Sequence, residues 1–294
     1  MRWITTLFCS LLVLGSLGCD RTADTAASQA PRRKLLVVAS VYPLASIAQQ
    51  IGGERVEVAW WIESGQELAG YQPSPAQIEQ MRRAVAILSN GVAEGPYTDQ
   101  FANAFGDRRL IRLDRFAEWG AGESQLWLNT AIVAQAAREL GDRLAAVDPA
   151  HGDEYRQRAA ECVKQLDSLG DYGKNLLTPL HSLRVGSIGK DYSALGKQHS
   201  FVIEPLSRAS LLTFDAQAIA TLPDTIKAKQ SRIMLVEADI PLSAVAALEQ
   251  TVAIPVARID SLGSSSPQGR DSYDRIMRYN YEQLAAALRR GNSR

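Results

Sequence analysis

Twice along this chain, short uninterrupted apolar runs alternate with amphipathic stretches, and that pattern restricts the fold more than any other feature. In the first half, Leu35–Ser40 (LLVVAS), Val56–Ile62 (VEVAWWI), Val85–Ser89 and Leu110–Leu113 read as strands. Leu44–Ile51, closed by Gly52-Gly53, and Pro75–Ala84 read as helices between them, with Asn90-Gly91 as a turn. The series then restarts, with Leu183–Ser187, Phe201–Glu204, Ile233–Glu237 and Pro255–Ile259 as strands and Asp215–Ala228, Leu242–Gln250 and Ser272–Leu288 as helices. Strands that are apolar on both faces and joined by helices belong to parallel sheets covered on both sides. Between the two series, Tyr155, Ala159, Cys162, Val163, Leu166 and Leu169 fall at helical spacing over about Ala150–Leu177. Asp148-Pro149 supplies a start signal there, and Gly170 and Gly173 weaken the far end. The expected fold class is α/β, two βα lobes with parallel sheets bridged by one long helix. In such folds ligands sit outside the carboxyl ends of the strands.

The N-terminus fixes the compartment. Arg2 precedes an apolar run from Trp3 to Leu17, shorter than the roughly 20 residues a membrane span needs and of the length of a signal-peptide core. The run ends in Ser16-Leu17-Gly18-Cys19, which resembles a bacterial lipobox, with a small residue before the cleaved bond and a thiol to accept lipid. A plain secretory signal cleaved nearby is the alternative. Asp20–Ala30 is small, polar and unpatterned, as a flexible tether is. The expected mature chain is extracytoplasmic and membrane-anchored through Cys19, in the periplasm or on the cell surface. There are three cysteines, so with Cys9 in the leader and Cys19 lipidated, Cys162 stands alone. That excludes an internal disulfide and a thiolate zinc site, and the helical stripe on which Cys162 falls makes it a buried small hydrophobe.

Bulk charge and motifs exclude several functions. Lys+Arg and Asp+Glu both total 32, which argues against a nucleic-acid binder. Gly189-Lys190 is not a P-loop, because Arg184 occupies the first glycine position and Asp191 that of the Ser/Thr. Gly263-Ser264-Ser265-Ser266 is not a nucleophile elbow, and His151, His181 and His199 are not spaced as a metal pair. An enzyme is therefore not expected.

Taken in order, Val37–Ala48 (VVASVYPLASIA), Tyr71-Gln72-Pro73-Ser74-Pro75, Ala86–Gly91 (AILSNG), Leu126-Trp127-Leu128-Asn129, Ile259-Asp260-Ser261-Leu262 and Asp271–Leu288 resemble the solute-binding proteins of zinc and manganese ABC importers. The resemblance covers about residues 35–288. It implies a signal peptide (1–19), a linker (20–34), an N-terminal lobe (35–149), a rigid bridging helix (150–178) and a C-terminal lobe (179–294). It also implies Zn²⁺ or Mn²⁺ as the transported ligand, an ABC permease with its ATPase as partners, and a monomer. The metal ligands transfer poorly. Ala69 stands at the first histidine position and Gln125 at the second; the third falls among Ile188, Gly189 and Lys190; only Asp260, the acid after the last strand, is retained. Glu118–Glu123 replaces the family's His-rich loop. Candidate ligands are thus Asp260, Gln125 and Glu67, with Glu63 and His199 as further substitutes. Zinc ordinarily takes four N, S or carboxylate donors, whereas amide oxygen suits harder cations. A degenerate relative that takes another small solute or a protein partner is the competing reading.

Residue by residue, the structural expectations are plainer. Asp260 orders the turn that follows it, Trp127 lies in the core, and Glu237 makes a structural hydrogen bond. Trp60 and Trp61 point to opposite faces of their strand. Tyr71-Gln72-Pro73 shapes a loop and caps the helix at Pro75. Lys190, Asp191 and Tyr192 are expected in a solvated loop.

Overall fold

The structure is a computed structural model that describes residues 34–63, 71–91, 94, 97–118, 125–180, 183–207, 209, 213–214, 216–263 and 270–292. Cys19, Glu67 and Ala69 lie outside the described residues. The first sheet contains β1 (Leu35–Val41), β2 (Val56–Ile62), β3 (Ala86–Ser89) and β4 (Leu110–Arg112), in the order β2-β1-β3-β4. The second contains β5 (Arg184–Ile188), β6 (Val202–Ser207), β7 (Ser231–Glu237) and β8 (Val256–Ile259), in the order β6-β5-β7-β8. Every pairing is parallel, as the continuous apolar runs require.

Both faces of each sheet are covered. Val37, Ala39 and Val41 face a main core, whereas Val38 faces a separate cluster with Trp61, Met81, Ile87, Tyr97 and Phe101. Trp60 and Trp61 follow the same alternation, Trp60 packing against the main core and edge-on to Tyr42 at 5.2 Å. In β7, Ile233 and Leu235 join the main core, and Met234 and Val236 join a third cluster. The main core is continuous from Val37 in the first sheet to Ile259 in the second.

Helices supply that continuity. They are α1 (Tyr42–Gly52), α2 (Pro75–Arg83), α3 (Tyr97–Phe105), α4 (Thr130–Val147), α5 (Gly152–Leu177), α6 (Ser193–Gln198), α7 (Ala216–Lys229), α8 (Leu242–Val252) and α9 (Tyr273–Asn292). The 26 residues of α5 make a rod of about 39 Å. Its stripe of Tyr155, Ala159, Cys162, Val163, Leu166 and Leu169 is buried, and burial pushes the Cys162 thiol up to about 12, so it is an inert hydrophobe as expected. At α2, Ser74 forms a capping box: its hydroxyl accepts from the Gln77 amide, and Gln77 Oε1 accepts from the Ser74 amide at 2.8 Å, with Pro75 in the first turn. Tyr71 donates to the same Gln77 oxygen at 3.1 Å.

The structure corrects the sequence reading in three places. Helices α3, α4 and α6 lie where no element was expected. Gly170 and Gly173 do not weaken α5, which runs on through Leu177. They are places of close approach: a Cβ on Gly173 would lie 2.6 Å from the Tyr281 ring and 2.8 Å from His199 Cε1. Nor is the Lys190–Tyr192 segment a solvated loop, because Tyr192 is fully buried and Asp191 Oδ1 accepts from the Ser193 amide at 2.8 Å.

Gly173→Ala is therefore expected to destabilise the fold by about 1–3 kcal/mol through overpacking, despite the gain in helix propensity. Gly291→Ala, where the nearest atom is 3.4 Å away, should stay within about 0.5 kcal/mol of the parent. Urea unfolding of the two variants measures the difference.

Candidate functional site

The carboxyl ends of the strands face one short segment, Gln125–Thr130, which joins the two lobes. Its middle is a single 3₁₀ turn, Leu126–Leu128. On the first-lobe side, the Leu126 amide donates to Asn90 Oδ1 at 2.8 Å, just past β3. On the second-lobe side, the Gln125 amide donates to the Asp191 carbonyl at 3.2 Å, and Asn129 Nδ2 donates to the Ala194 carbonyl at 3.3 Å. Gln198 completes the seam, accepting from the Thr130 amide at 2.8 Å and donating to its hydroxyl at 2.6 Å. Trp127, 0% exposed, donates its indole N–H to the Ser261 carbonyl at 2.6 Å, and its own carbonyl accepts from the Tyr273 hydroxyl at 2.8 Å. Trp127 is a core residue, as expected, and also the pin between the lobes.

Asn90 is held for this role by a buried carboxylate that sequence reasoning missed. Glu94 accepts from the Asn90 amide at 2.7 Å, the Ser89 hydroxyl at 2.7 Å and the Tyr97 hydroxyl at 2.5 Å. Burial raises its pKa, partly offset by these donors. Gly91 turns the chain here with φ +101° and lies against Asp114, so that a Cβ would meet the Asp114 carboxylate. An acid three residues beyond the Asn90-Gly91 turn was the available signal.

Asp260, 8% exposed, directly follows β8 and is engaged on both oxygens. Oδ1 accepts from the Leu262 and Gly263 amides at 3.2 and 2.7 Å, the expected turn-forming role. Oδ2 pairs with Arg270 Nε at 2.5 Å, a partner that no reading of the sequence suggested. Asn280 holds the Asp260 backbone from both sides, accepting from its amide and donating to its carbonyl, each at 2.8 Å.

Gln125 is 3% exposed, and its side-chain Oε1 has no hydrogen-bond partner among the described residues. A buried amide oxygen left in this way normally has an occupant to satisfy it. The structure thus brings Gln125 and the Asp260–Ser261 turn to the same junction through Trp127. Glu67 lies outside the described residues. His199 is placed elsewhere: it is 1% exposed, edge-on to Tyr281 at 5.0 Å and against α5, so it packs in the helical layer and is not drawn into the junction. Ile188 is 2% exposed and apolar, and Gly189 carries no side chain. Among the described residues, no group of three or more His, Cys, Asp and Glu is arranged to hold a metal ion. The described donors are oxygen, one carboxylate and one amide, and do not fit a four-coordinate zinc site.

Glu237, at the end of β7, accepts from the Tyr192 hydroxyl at 2.7 Å and the Ser261 hydroxyl at 2.8 Å. Loss of hydration raises its pKa to about 7; these donors and Lys190 pull the other way. A folded-state pKa above the unfolded value gives stability that is complete below the unfolded carboxylate pKa and is lost as pH rises through about 7. Glu237→Gln keeps an acceptor for both hydroxyls and removes the titration. Melting temperatures between pH 5 and 8 should therefore fall less for the variant than for the parent, and equal slopes would refute the assignment.

Two parallel-sheet lobes whose strand ends meet at a polar, largely buried junction define a two-lobed solute-binding protein. The profile of the family described as zinc-uptake complex component A, periplasmic (ZnuA), matches residues 37–287, and the chain belongs to that family. The manganese ABC transporter substrate-binding lipoprotein PsaA of Streptococcus mitis is 26% identical, with 96% of each chain covered. The iron ABC transporter substrate-binding lipoprotein MtsA of Streptococcus pyogenes is 23% identical, with 98% of each covered. Among solved structures, the periplasmic zinc-binding protein TroA from Treponema pallidum superposes with a TM-score of 0.69 at 19% identity, covering 87% of this chain and 99% of that one. The metal-dependent lipoprotein YcdH from Bacillus subtilis gives 0.73 at 18% identity, covering 86% and 99%. The family is one of transport proteins and not a class of enzymes. Among the described residues, no helix is long and apolar enough to cross a membrane.

Proposed function

We propose that this chain is the lipid-anchored solute-binding component of a metal ABC importer, taking its cargo at the junction between the lobes and passing it to a permease coupled to an ATPase. The observation that carries this reading is family membership over residues 37–287, together with a seam that keeps the two sets of strand ends facing each other. The chain is read as a lipoprotein signal segment (1–19), within which cleavage after Gly18 leaves Cys19 as the lipidated first residue, a tether (20–34), lobes over 35–149 and 179–294, and a bridging helix over 150–178. It works as a monomer.

The cargo class follows from donor chemistry. Asp260 contributes a carboxylate oxygen and Gln125 a buried amide oxygen. Oxygen donors prefer hard cations, so Mn²⁺ is favoured over Zn²⁺, which seeks imidazole and thiolate. Glu67 is the proposed additional oxygen ligand.

Two measurements test the reading. Metabolic labelling with a tagged fatty acid is expected to mark the unaltered chain and not Cys19→Ser, and equal labelling of the two would refute lipidation at Cys19. For the cargo, Mn²⁺ at about a hundredfold excess over Kd stabilises a binding protein by about 2.7 kcal/mol, which a melting curve resolves. Asp260→Asn should abolish that gain. No melting shift across Mn²⁺, Zn²⁺, Ca²⁺ and Mg²⁺ would favour the competing reading, a relative that takes a different solute.

A further inference from the structure

Asp260 already carries a cation. Its Oδ1 is committed to the amides of Leu262 and Gly263, which leaves Oδ2 as the oxygen open to a ligand, and that oxygen lies 2.5 Å from Arg270 Nε. The guanidinium is placed from a second direction as well, its carbon 4.7 Å from the centroid of the Tyr279 ring, a cation–π contact. Asp260 sits on the strand end and is fixed there by Asn280, so the carboxylate is the stationary partner. Arg270 is the one with room to move, its side chain 37% exposed against 12% for that of Asp260.

We propose that Arg270 sets the affinity threshold of the junction: its guanidinium occupies the place on Asp260 that an incoming cation must take, and a divalent metal binds only by displacing it. This rests on the reading above that the junction takes a metal ion. Displacement separates a charge-assisted pair before any coordination bond is gained, so it raises the affinity threshold for every cation. Ions that bind oxygen weakly, the monovalent ones first, fail to cross it. A dication that gathers several oxygens at once does cross it, and the freed guanidinium then has solvent and the Tyr279 face to receive it.

Isothermal titration of MnCl₂ and ZnCl₂ into the unaltered chain, Arg270→Gln, Tyr279→Leu and the double variant Asp260→Asn/Arg270→Gln tests this. Arg270→Gln is expected to bind Mn²⁺ at least tenfold more tightly than the unaltered chain. Tyr279→Leu, which loosens the guanidinium without removing it, should tighten binding by a smaller factor, and it keeps the test valid if Arg270→Gln fails to fold. The double variant should bind no better than the unaltered chain. Equal or weaker binding by Arg270→Gln, with the unaltered chain binding metal, would overturn the role of Arg270 and leave the metal reading standing. Absence of metal binding in the unaltered chain and in both single variants would overturn the two together.

Discussion

The hydrogen bond from the Trp127 indole to the Ser261 carbonyl is the constraint on which the rest of the structure depends. It joins a residue of the first lobe to the turn that carries Asp260, and it is made by a side chain with no exposure to water. A buried carbonyl that loses its donor costs about 1–3 kcal/mol, and withdrawing an indole from a packed site costs more. The neighbouring bonds from Gln125 and Asn129 to the second lobe, those between Thr130 and Gln198, and that from Tyr273 back to the Trp127 carbonyl would all break in a wide hinge opening. With α5 as a rod of about 39 Å and one main core shared by both sheets, the lobes have little freedom to swing apart. On the proposed reading, ligand exchange on such a frame involves side chains at the junction and small shifts around the seam.

Most of the sheet architecture was legible in the residues. A run such as IMLVE over Ile233–Glu237 is apolar on both faces, and only a strand covered on both sides accommodates that. The missed helices show where the signal fades. Along α4 the buried face is built from Ala134, Ala136, Ala137 and Ala145 as much as from Ile132, Leu140 and Leu144. Alanine is moderately apolar and common on exposed helix faces as well, so the stripe has little contrast. Helix α6 has six residues, too few to display a period. Gly170 and Gly173 misled for a different reason: their cost in helix propensity is local, about 1 kcal/mol each, whereas the packing of Thr130, Tyr281 and His199 against them is tertiary.

The site was legible only in part, and along the same division. Asp260 announced its turn, because an acid followed by Ser-Leu-Gly can accept from the amides just beyond it. Its partner Arg270 stands ten positions later, and Tyr192 stands 45 positions from the Glu237 it serves. Nothing local distinguishes those residues from solvated ones. His199 failed in the opposite sense: a histidine invites a metal reading from sequence, but this one is enclosed by Tyr281 and the surface of α5.

Two carboxylates at neighbouring strand ends receive opposite treatment, and this decides what the junction offers an incoming ion. Glu237 is given neutral hydroxyl donors from Tyr192 and Ser261 and is deprived of water, so near pH 7 it is only partly ionised. Asp260 is given two amides and a full cation. The first carboxylate thus withholds much of its charge, and the second has its charge balanced from within the chain. An approaching dication therefore meets a weaker attraction than the count of acids at the strand ends suggests. On the proposed reading, binding then rests on whether the ion gathers enough oxygen ligands at once to outweigh the guanidinium, a matter of coordination number more than of charge. That agrees with the proposed preference for an oxygen-seeking dication such as Mn²⁺ over ions that need few, soft donors.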